Sequence, residues 1–265
     1  MPEGGAACQP KYRAMKTDVS ADWIFCESWA SFFIVQISSA IFDCSAPDLE
    51  SCPDEALPEF AFIGRSNVGK SSLLNVLAGR EALARVSPTP GFTKMINFFT
   101  MNKTWRLVDL PGYGFAEGAK QASKKFNKAV ANYLKHRENL CLVFALIEAA
   151  LPPQDIDVEF VEWLAHHRVP FVLVFTKTDK ATVAEVQANT AAFMERIAGW
   201  FVQPPATFSC SAKTGHGRHE LLNVIGETMT AIEAEMAANP PPTTPEREMS
   251  VRERKKKRPD LQRPW

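Results

Sequence analysis

The chain has 265 residues, 46% of them apolar, and a formal net charge of zero. This is enough for one sizeable folded domain with tails, and it excludes a chain too polar to bury a core. The six cysteines form no C-x-x-C pair and have no zinc-like histidine spacing, which points to reduced thiols in a cytoplasmic protein.

Residues 1–38 show no clear period, support no functional assignment, and are treated as an N-terminal extension; Met15 leaves the true start open. Trp23 to Phe42 is the one stretch apolar enough to suggest a membrane. Glu27 and Gln36 interrupt it and no basic segment adjoins it, so no stable membrane association is expected. A folded domain over 39–238 follows, in which strand-like and helix-like segments alternate. "EFAFI", Glu59 to Ile63, reads as a buried strand, and Leu73, Leu74 and Leu77 give the next segment a helical period that Gly79 ends. Apolar runs recur at Ile96–Met101, Trp105–Val108, Leu140–Ile147, Phe171–Phe175 and Ala206–Cys210. Helical patterns occupy Lys120–His136, Gln154–His167, Val183–Phe201 and Arg218–Ala237. The alternation predicts an α/β domain, a mostly parallel sheet flanked by helices on both faces. "PPPTTP", from Pro240, then ends the last helix and opens a disordered tail over 239–265.

Between the first buried strand and its helix lies "GRSNVGKSS", Gly64 to Ser72, which satisfies G-x-x-x-x-G-K-[ST] through Gly64, Gly69, Lys70 and Ser71. A strand entering and a helix leaving are the context in which such a loop turns its backbone N–H groups onto a polyphosphate. Arg65, Ser66, Asn67, Val68 and Ser72 complete the candidate cradle. Lys70 would reach the β- and γ-phosphates, and the Ser71 hydroxyl would bind Mg²⁺.

Three later stretches bear on which nucleotide is bound. "DLPG", Asp109 to Gly112 with Leu110 and Pro111 between, follows the strand "WRLV". There Asp109 can hold Mg²⁺ through water and the Gly112 N–H can reach a γ-phosphate. "TKTD", Thr176, Lys177, Thr178 and Asp179, ends the run "FVLVF". A carboxylate at Asp179 can accept from the N1–H and exocyclic amine of guanine, a donor pair adenine lacks, and so selects GTP over ATP. "CSAKTGHG" follows the last strand, with Cys210, Ser211 and Ala212 placed to offer backbone N–H groups to the base oxygen.

At this point the sequence resembles the EngB (YihA) family of ribosome-biogenesis P-loop GTPases. The resemblance runs from about Ile41 to Ile232 through "PEFAFIGRSNVGKSSLLN", "TPGFTK", "DLPGYGFA", "PPQDIDVEFVEWL" and "TKTDK". It implies a Ras-like P-loop GTPase domain that takes GTP and GDP as ligands with Mg²⁺. It also implies a molecular switch that assists assembly of the large ribosomal subunit. By the same resemblance Thr93, with Gly91 and Phe92 in "GFT", is the switch threonine that completes the Mg²⁺ shell beside GTP. Thr93, Lys70 and Gly112 are therefore the expected catalytic group, and Ser71, Thr93 and Asp109 the expected metal set. Asn67 resembles the asparagine with which several related GTPases bind K⁺; its other reading is a residue that tolerates the loop's backbone geometry.

The chain also departs from the family. Thr176 stands where most GTPases carry Asn, a change common in this family. Lys94 replaces a usual Gln, and Glu148-Ala149 in "LIEAAL" replaces a usual Asp-x-Arg element; neither Lys94 nor Glu148 receives a role. Tyr113 occupies the position where many small GTPases orient the attacking water with Gln. Turnover without that group or an arginine finger is expected on the order of 10⁻³ s⁻¹ or less. Two rival readings follow: a guanine-nucleotide sensor with negligible hydrolysis, suggested by Tyr113, and a membrane-associated GTPase, suggested by residues 23–42.

The neutral total charge conceals an asymmetry. Residues 240–265 hold eight Lys/Arg against four Asp/Glu, a net of +4, and the remainder carries −4. The seven basic residues from Arg252 onward are expected to contact ribosomal RNA by counterion release, without DNA specificity. A solvated tail is the plainer alternative.

Overall fold

A computed structural model describes residues 35–80, 83–84, 95–114 and 128–238. Seven strands are joined in the order β1-β3-β4-β2-β5-β6-β7. They are β1 (Ala40–Ala46), β2 (Glu59–Gly64), β3 (Ile96–Met101), β4 (Trp105–Asp109), β5 (Leu140–Glu148), β6 (Phe171–Thr176) and β7 (Thr207–Ser209). The pairs from β4 through β2, β5 and β6 to β7 are parallel. β1 with β3 and β3 with β4 are antiparallel. The expected mostly parallel sheet is present.

Strand β2 shows why the sheet is covered on both faces. All six of its residues are buried, and they alternate between two cores. Phe60 and Phe62 face the core completed by α1 (Lys70–Ala78) and α5 (Arg218–Ala238). Ala61 and Ile63 face the core completed by α2 (Lys128–His136), α3 (Asp155–His166) and α4 (Val183–Ile197). A strand buried on both sides reads as a continuous apolar run.

Several boundaries differ from the sequence expectation. Strand β1 was not anticipated: Ile41, Phe42 and Asp43 are all exposed on this sheet edge, and the register shifts between Phe42 and Cys44, so no clean alternation marks it. Residues 40–42 of the apolar stretch therefore belong to the sheet, while 23–34 lie outside the described residues. Just before β1, the Asn102 side chain accepts from the Ser38 and Ser39 N–H groups and donates to the Gln36 carbonyl. This ties the entering chain to the β3–β4 turn. Helix α4 ends at Ile197 and a 3-10 turn, Ala198–Trp200, replaces its expected last turn, where Gly199 weakens helix continuation. The described part of α2 begins at Lys128; residues 120–127 of the expected helix lie outside the described residues, as does the tail from 239. Among the described residues, no helix is long and apolar enough to cross a membrane.

The amino end of β2 is held by buried charge. Glu59, fully buried, accepts from Tyr133 Oη at 2.8 Å, from Arg137 Nε at 2.9 Å and from a second Arg137 nitrogen at 2.6 Å. Burial, and then the Glu59 carboxylate, push the Tyr133 phenol well above its usual range, so it remains a donor. Arg106, also buried, pairs with Asp43 on β1 and with Glu55. Removing one partner from such a set strands the others without water. Glu59→Ala is expected to cost about 3–5 kcal/mol in urea unfolding. GDP affinity of the folded protein should stay unchanged, because Glu59 lies at the sheet end opposite the phosphate loop.

Candidate nucleotide site

The loop from Gly64 to Gly69 joins β2 to α1 under tight steric limits. A Cβ on Gly64 would lie 2.7 Å from the Leu146 carbonyl oxygen and 2.8 Å from a Val68 methyl. Only a residue without a side chain fits there. Asn67 has φ of 66° and Gly69 φ of 101°, so the loop passes twice through the left-handed region before the helix begins. Val68 turns its side chain into the core, which leaves backbone along the rest of the loop.

The two ends of α1 differ in how they are satisfied. At its carboxyl end Arg218 Nε donates to the Val76 carbonyl at 2.7 Å and a second Arg218 nitrogen to Leu77 at 3.1 Å. At its amino end, among the described residues, no side chain caps the helix, and its first turn has no acidic residue. By contrast, α4 begins with a full capping box between Thr182 and Glu185. A helix start with no side-chain cap and no acidic residue in its own first turn is suited to an anion.

Asp109 ends β4, buried, beside this loop. Lys70 Nζ donates to Asp109 Oδ1, so the two residues expected to serve phosphate and metal meet directly. Leu110 N donates to the Phe62 carbonyl and Tyr113 N to the Gly64 carbonyl, laying the Asp109–Gly112 turn along the phosphate loop. A Cβ on Gly112 would stand 2.9 Å from the Gly64 oxygen and 3.3 Å from the Ser66 nitrogen, which explains glycine there. Pro111 is buried behind it.

Thr176 and Asp179 hold the other half of the site. Thr176 Oγ1 lies 2.7 Å from the Val68 carbonyl, to which it donates, and so joins the end of β6 to the phosphate loop. Lys177 has φ of 59° and turns the chain into a 3-10 turn, Thr178–Lys180, on which Asp179 is exposed. Ser211 Oγ donates to Asp179 at 2.6 Å and accepts from the Thr214 N–H at 3.2 Å. The Ser211 hydrogen bond holds the Asp179 carboxyl below its usual range, ready as an acceptor. Thr178 donates to the Cys210 carbonyl through its N–H and hydroxyl. The Cys210 thiol itself is buried in the core and pushed up to about 12 by that burial, which leaves only its backbone to face the site.

The structure thus brings together Gly64–Ser72, Asp109–Gly112, Thr176–Asp179 and Cys210–Ala212. Gly91, Phe92, Thr93 and Lys94 lie outside the described residues. Two residues given no part in the site by the sequence now have one. Asp157 on α3, fully buried, accepts from Arg65 Nε at 2.9 and 3.0 Å and from Tyr113 Oη at 2.9 Å. The Tyr113 ring packs on Phe160 at 4.4 Å, and burial with the Asp157 carboxylate raises its phenol well above the usual range. Tyr113 is therefore a fixed donor that pins the turn to α3. An acidic residue four positions before buried Val161, on the apolar stripe of α3, was the available sign of Asp157. Glu148, the second, forms an ion pair with Lys177.

A glycine-bearing loop between a buried strand and its helix, a strand-end aspartate and the Thr176–Asp179 turn, at one edge of a mostly parallel sheet, are the arrangement of a P-loop GTPase. Comparisons with known proteins agree. The family model described as "50S ribosome-binding GTPase" matches residues 59–177. A probable GTP-binding protein EngB of Phocaeicola vulgatus is 44% identical over 76% of this chain and 100% of its own length. The corresponding protein of Cytophaga hutchinsonii is 43% identical over 71% of this chain and 95% of its own. The chain belongs to the EngB family of GTP-binding proteins. A crystal structure of a probable GTP-binding protein EngB superposes with a TM-score of 0.50 at 25% identity, covering 65% of this chain and 99% of that one. Era of Aquifex aeolicus shares the fold, with a TM-score of 0.50 at 22% identity over 64% of this chain and 56% of its own.

Thr176→Val removes the donor to the Val68 carbonyl while keeping the side-chain volume. Stability is expected to fall by about 1–3 kcal/mol in urea unfolding. GDP affinity should fall with it, and Thr176→Ser should remain near the unmodified protein in both measurements.

Proposed function

We propose that this chain is a slow GTP-hydrolysing switch that assists assembly of the large ribosomal subunit. The observation that carries the switch is the joining of phosphate loop to base turn, through Thr176 Oγ1 and the Val68 carbonyl, beside an Asp179 held ionised by Ser211. A single rigid edge then reads both ends of a guanine nucleotide. The ribosomal half is supported by the description of the matching family model, which names ribosome binding for that family.

Mg²⁺ fits the donors present. The Ser71 hydroxyl and the buried Asp109 carboxylate are hard oxygen ligands beside the uncapped start of α1. With nucleotide bound, Lys70 would pair with phosphate and Asp109 would hold the metal through its water shell, in place of the pair the two now make with each other. Mg²⁺ supplies charge neutralisation to the phosphates. Thr93, carried over by resemblance, would complete the shell.

Slow hydrolysis follows from Tyr113. Its hydroxyl is committed to Asp157 and its ring to Phe160, so it has no freedom to orient water. An unassisted rate on the order of 10⁻³ s⁻¹ or less is the consequence. The left-handed φ of Asn67 accounts for asparagine in the loop without a cation, so K⁺ stays outside the proposal.

Asp179→Asn tests the base assignment. It puts a donor opposite a donor, so GDP and GTP affinity should drop roughly ten- to hundredfold while xanthosine nucleotides improve. Equal binding of ATP and GTP by the unmodified protein would overturn the assignment. The ribosomal reading is tested by sedimenting the protein with large subunits in GTP, GDP and a non-hydrolysable analogue, with and without residues 240–265. The expected outcome is nucleotide-dependent co-sedimentation. Removing the tail should weaken it and flatten its salt dependence, since basic residues gain affinity by releasing counterions.

A further inference from the structure

We propose that Glu148 is a positioning residue for the guanine base. Its carboxylate holds the Lys177 ammonium, so that the methylene stem of Lys177 stands as a fixed wall of the base slot. The proposal rests on the guanine-nucleotide reading of the same site and goes beyond it by assigning a role to Glu148, which no sequence motif marks.

Glu148 is the last residue of β5 and pairs in register with Thr176, the last residue of β6. The chain turns at once into Lys177, whose φ of 59° is a left-handed conformation rarely adopted by a lysine without cause. That turn lets Lys177 Nζ reach Glu148 Oε2 at 2.9 Å, with the two side chains only 20% and 16% exposed. The stem runs along the phosphate loop on the way. Its Cε and Cγ lie 3.7 and 3.9 Å from where a Cβ on Gly69 would stand.

Lys177 thus stands between the two parts of the site already described. On one side is Gly69, where the phosphates begin; two residues further on is Asp179, which accepts the base edge. A carboxylate on the edge fixes hydrogen bonds but leaves the plane of the purine free to tilt. The plane is fixed by something apolar against its face, and the lysine methylenes are that surface. An unrestrained lysine has a flexible four-carbon stem and would lose rotamer freedom on each binding event. The ion pair with Glu148 imposes that order beforehand, which is preorganisation. It also turns the ammonium away from the phosphates, so its contribution falls on the base.

The test is a fluorescence titration of the full chain with Mg·GDP and with Mg·GTPγS. Glu148→Gln, nearly isosteric, is expected to weaken both by the same factor, roughly three- to tenfold, as for an immobilised side chain set free. Glu148→Asp keeps the charge and should recover most of the affinity. Lys177→Met keeps an unbranched stem without an ammonium, and in that background Glu148→Gln should add nothing. Unchanged affinity in Glu148→Gln would overturn the proposal, as would tighter binding of GTPγS alone, which marks simple charge repulsion. The same loss persisting beside Lys177→Met would also overturn it. A lower unfolding midpoint with unaltered affinity would make Glu148 merely structural. If the unmodified chain fails to bind GDP, the guanine reading falls; if it binds and Glu148→Gln binds equally, only this proposal does.

Discussion

Backbone-to-backbone approach at Gly64 and Gly112 is the constraint on which the site depends. β2 and β5 are neighbours, and at their carboxyl ends the phosphate loop must bend away without striking Leu146. A Cβ on Gly64 would come within 2.7 Å of the Leu146 oxygen, and one on Gly112 within 2.9 Å of the Gly64 oxygen. Both lie below the distance at which real side chains are tolerated. With the two glycines in place, Tyr113 N reaches the Gly64 carbonyl and the Asp109–Gly112 turn lies directly on the loop. The Asp109–Gly112 turn and the Gly64–Gly69 loop thereby share one backbone surface.

Polar satisfaction is divided between the two ends of the sheet. At the amino end of β2, the buried charges answer one another: Glu59 takes Tyr133 and Arg137, and Arg106 takes Asp43 and Glu55. At the carboxyl end, α1 starts without a cap and Asp179 is exposed on its turn. Buried ion pairs add little net stability over apolar packing but penalise any arrangement that breaks them. The amino end therefore holds the strands in register while the carboxyl end keeps its donors for a ligand.

Much of the site was legible because its pieces are contiguous. Gly64–Ser72, Asp109–Gly112, Thr176–Asp179 and Cys210–Ala212 each sit at a strand end, and local residue type is enough to mark a loop that must be small, polar or left-handed. Tyr113 was legible only in part. Read along the chain it is a missing glutamine, whereas in space it is the donor to Asp157, 44 residues away. Glu148 was opaque for the same reason: its partner, Lys177, lies just past the end of the next strand, 29 residues along the chain from Glu148 by way of β6. Strand β1 escaped notice because an exposed edge has no alternation to read.

The residue order by itself determined the strand–loop–helix unit, the strand-end turn that carries Asp179 and the alternation that makes a parallel sheet. These rest on spacings of a few residues, where steric limits and periodicity act within one segment. Tertiary structure alone decided which of the pieces touch: Thr176 with Val68, Ser211 with Asp179, Asp157 with both Arg65 and Tyr113, and Glu148 with Lys177. Those contacts depend on strand order and register. Both are set by how two apolar cores close over opposite faces of one sheet, and no local pattern carries that information.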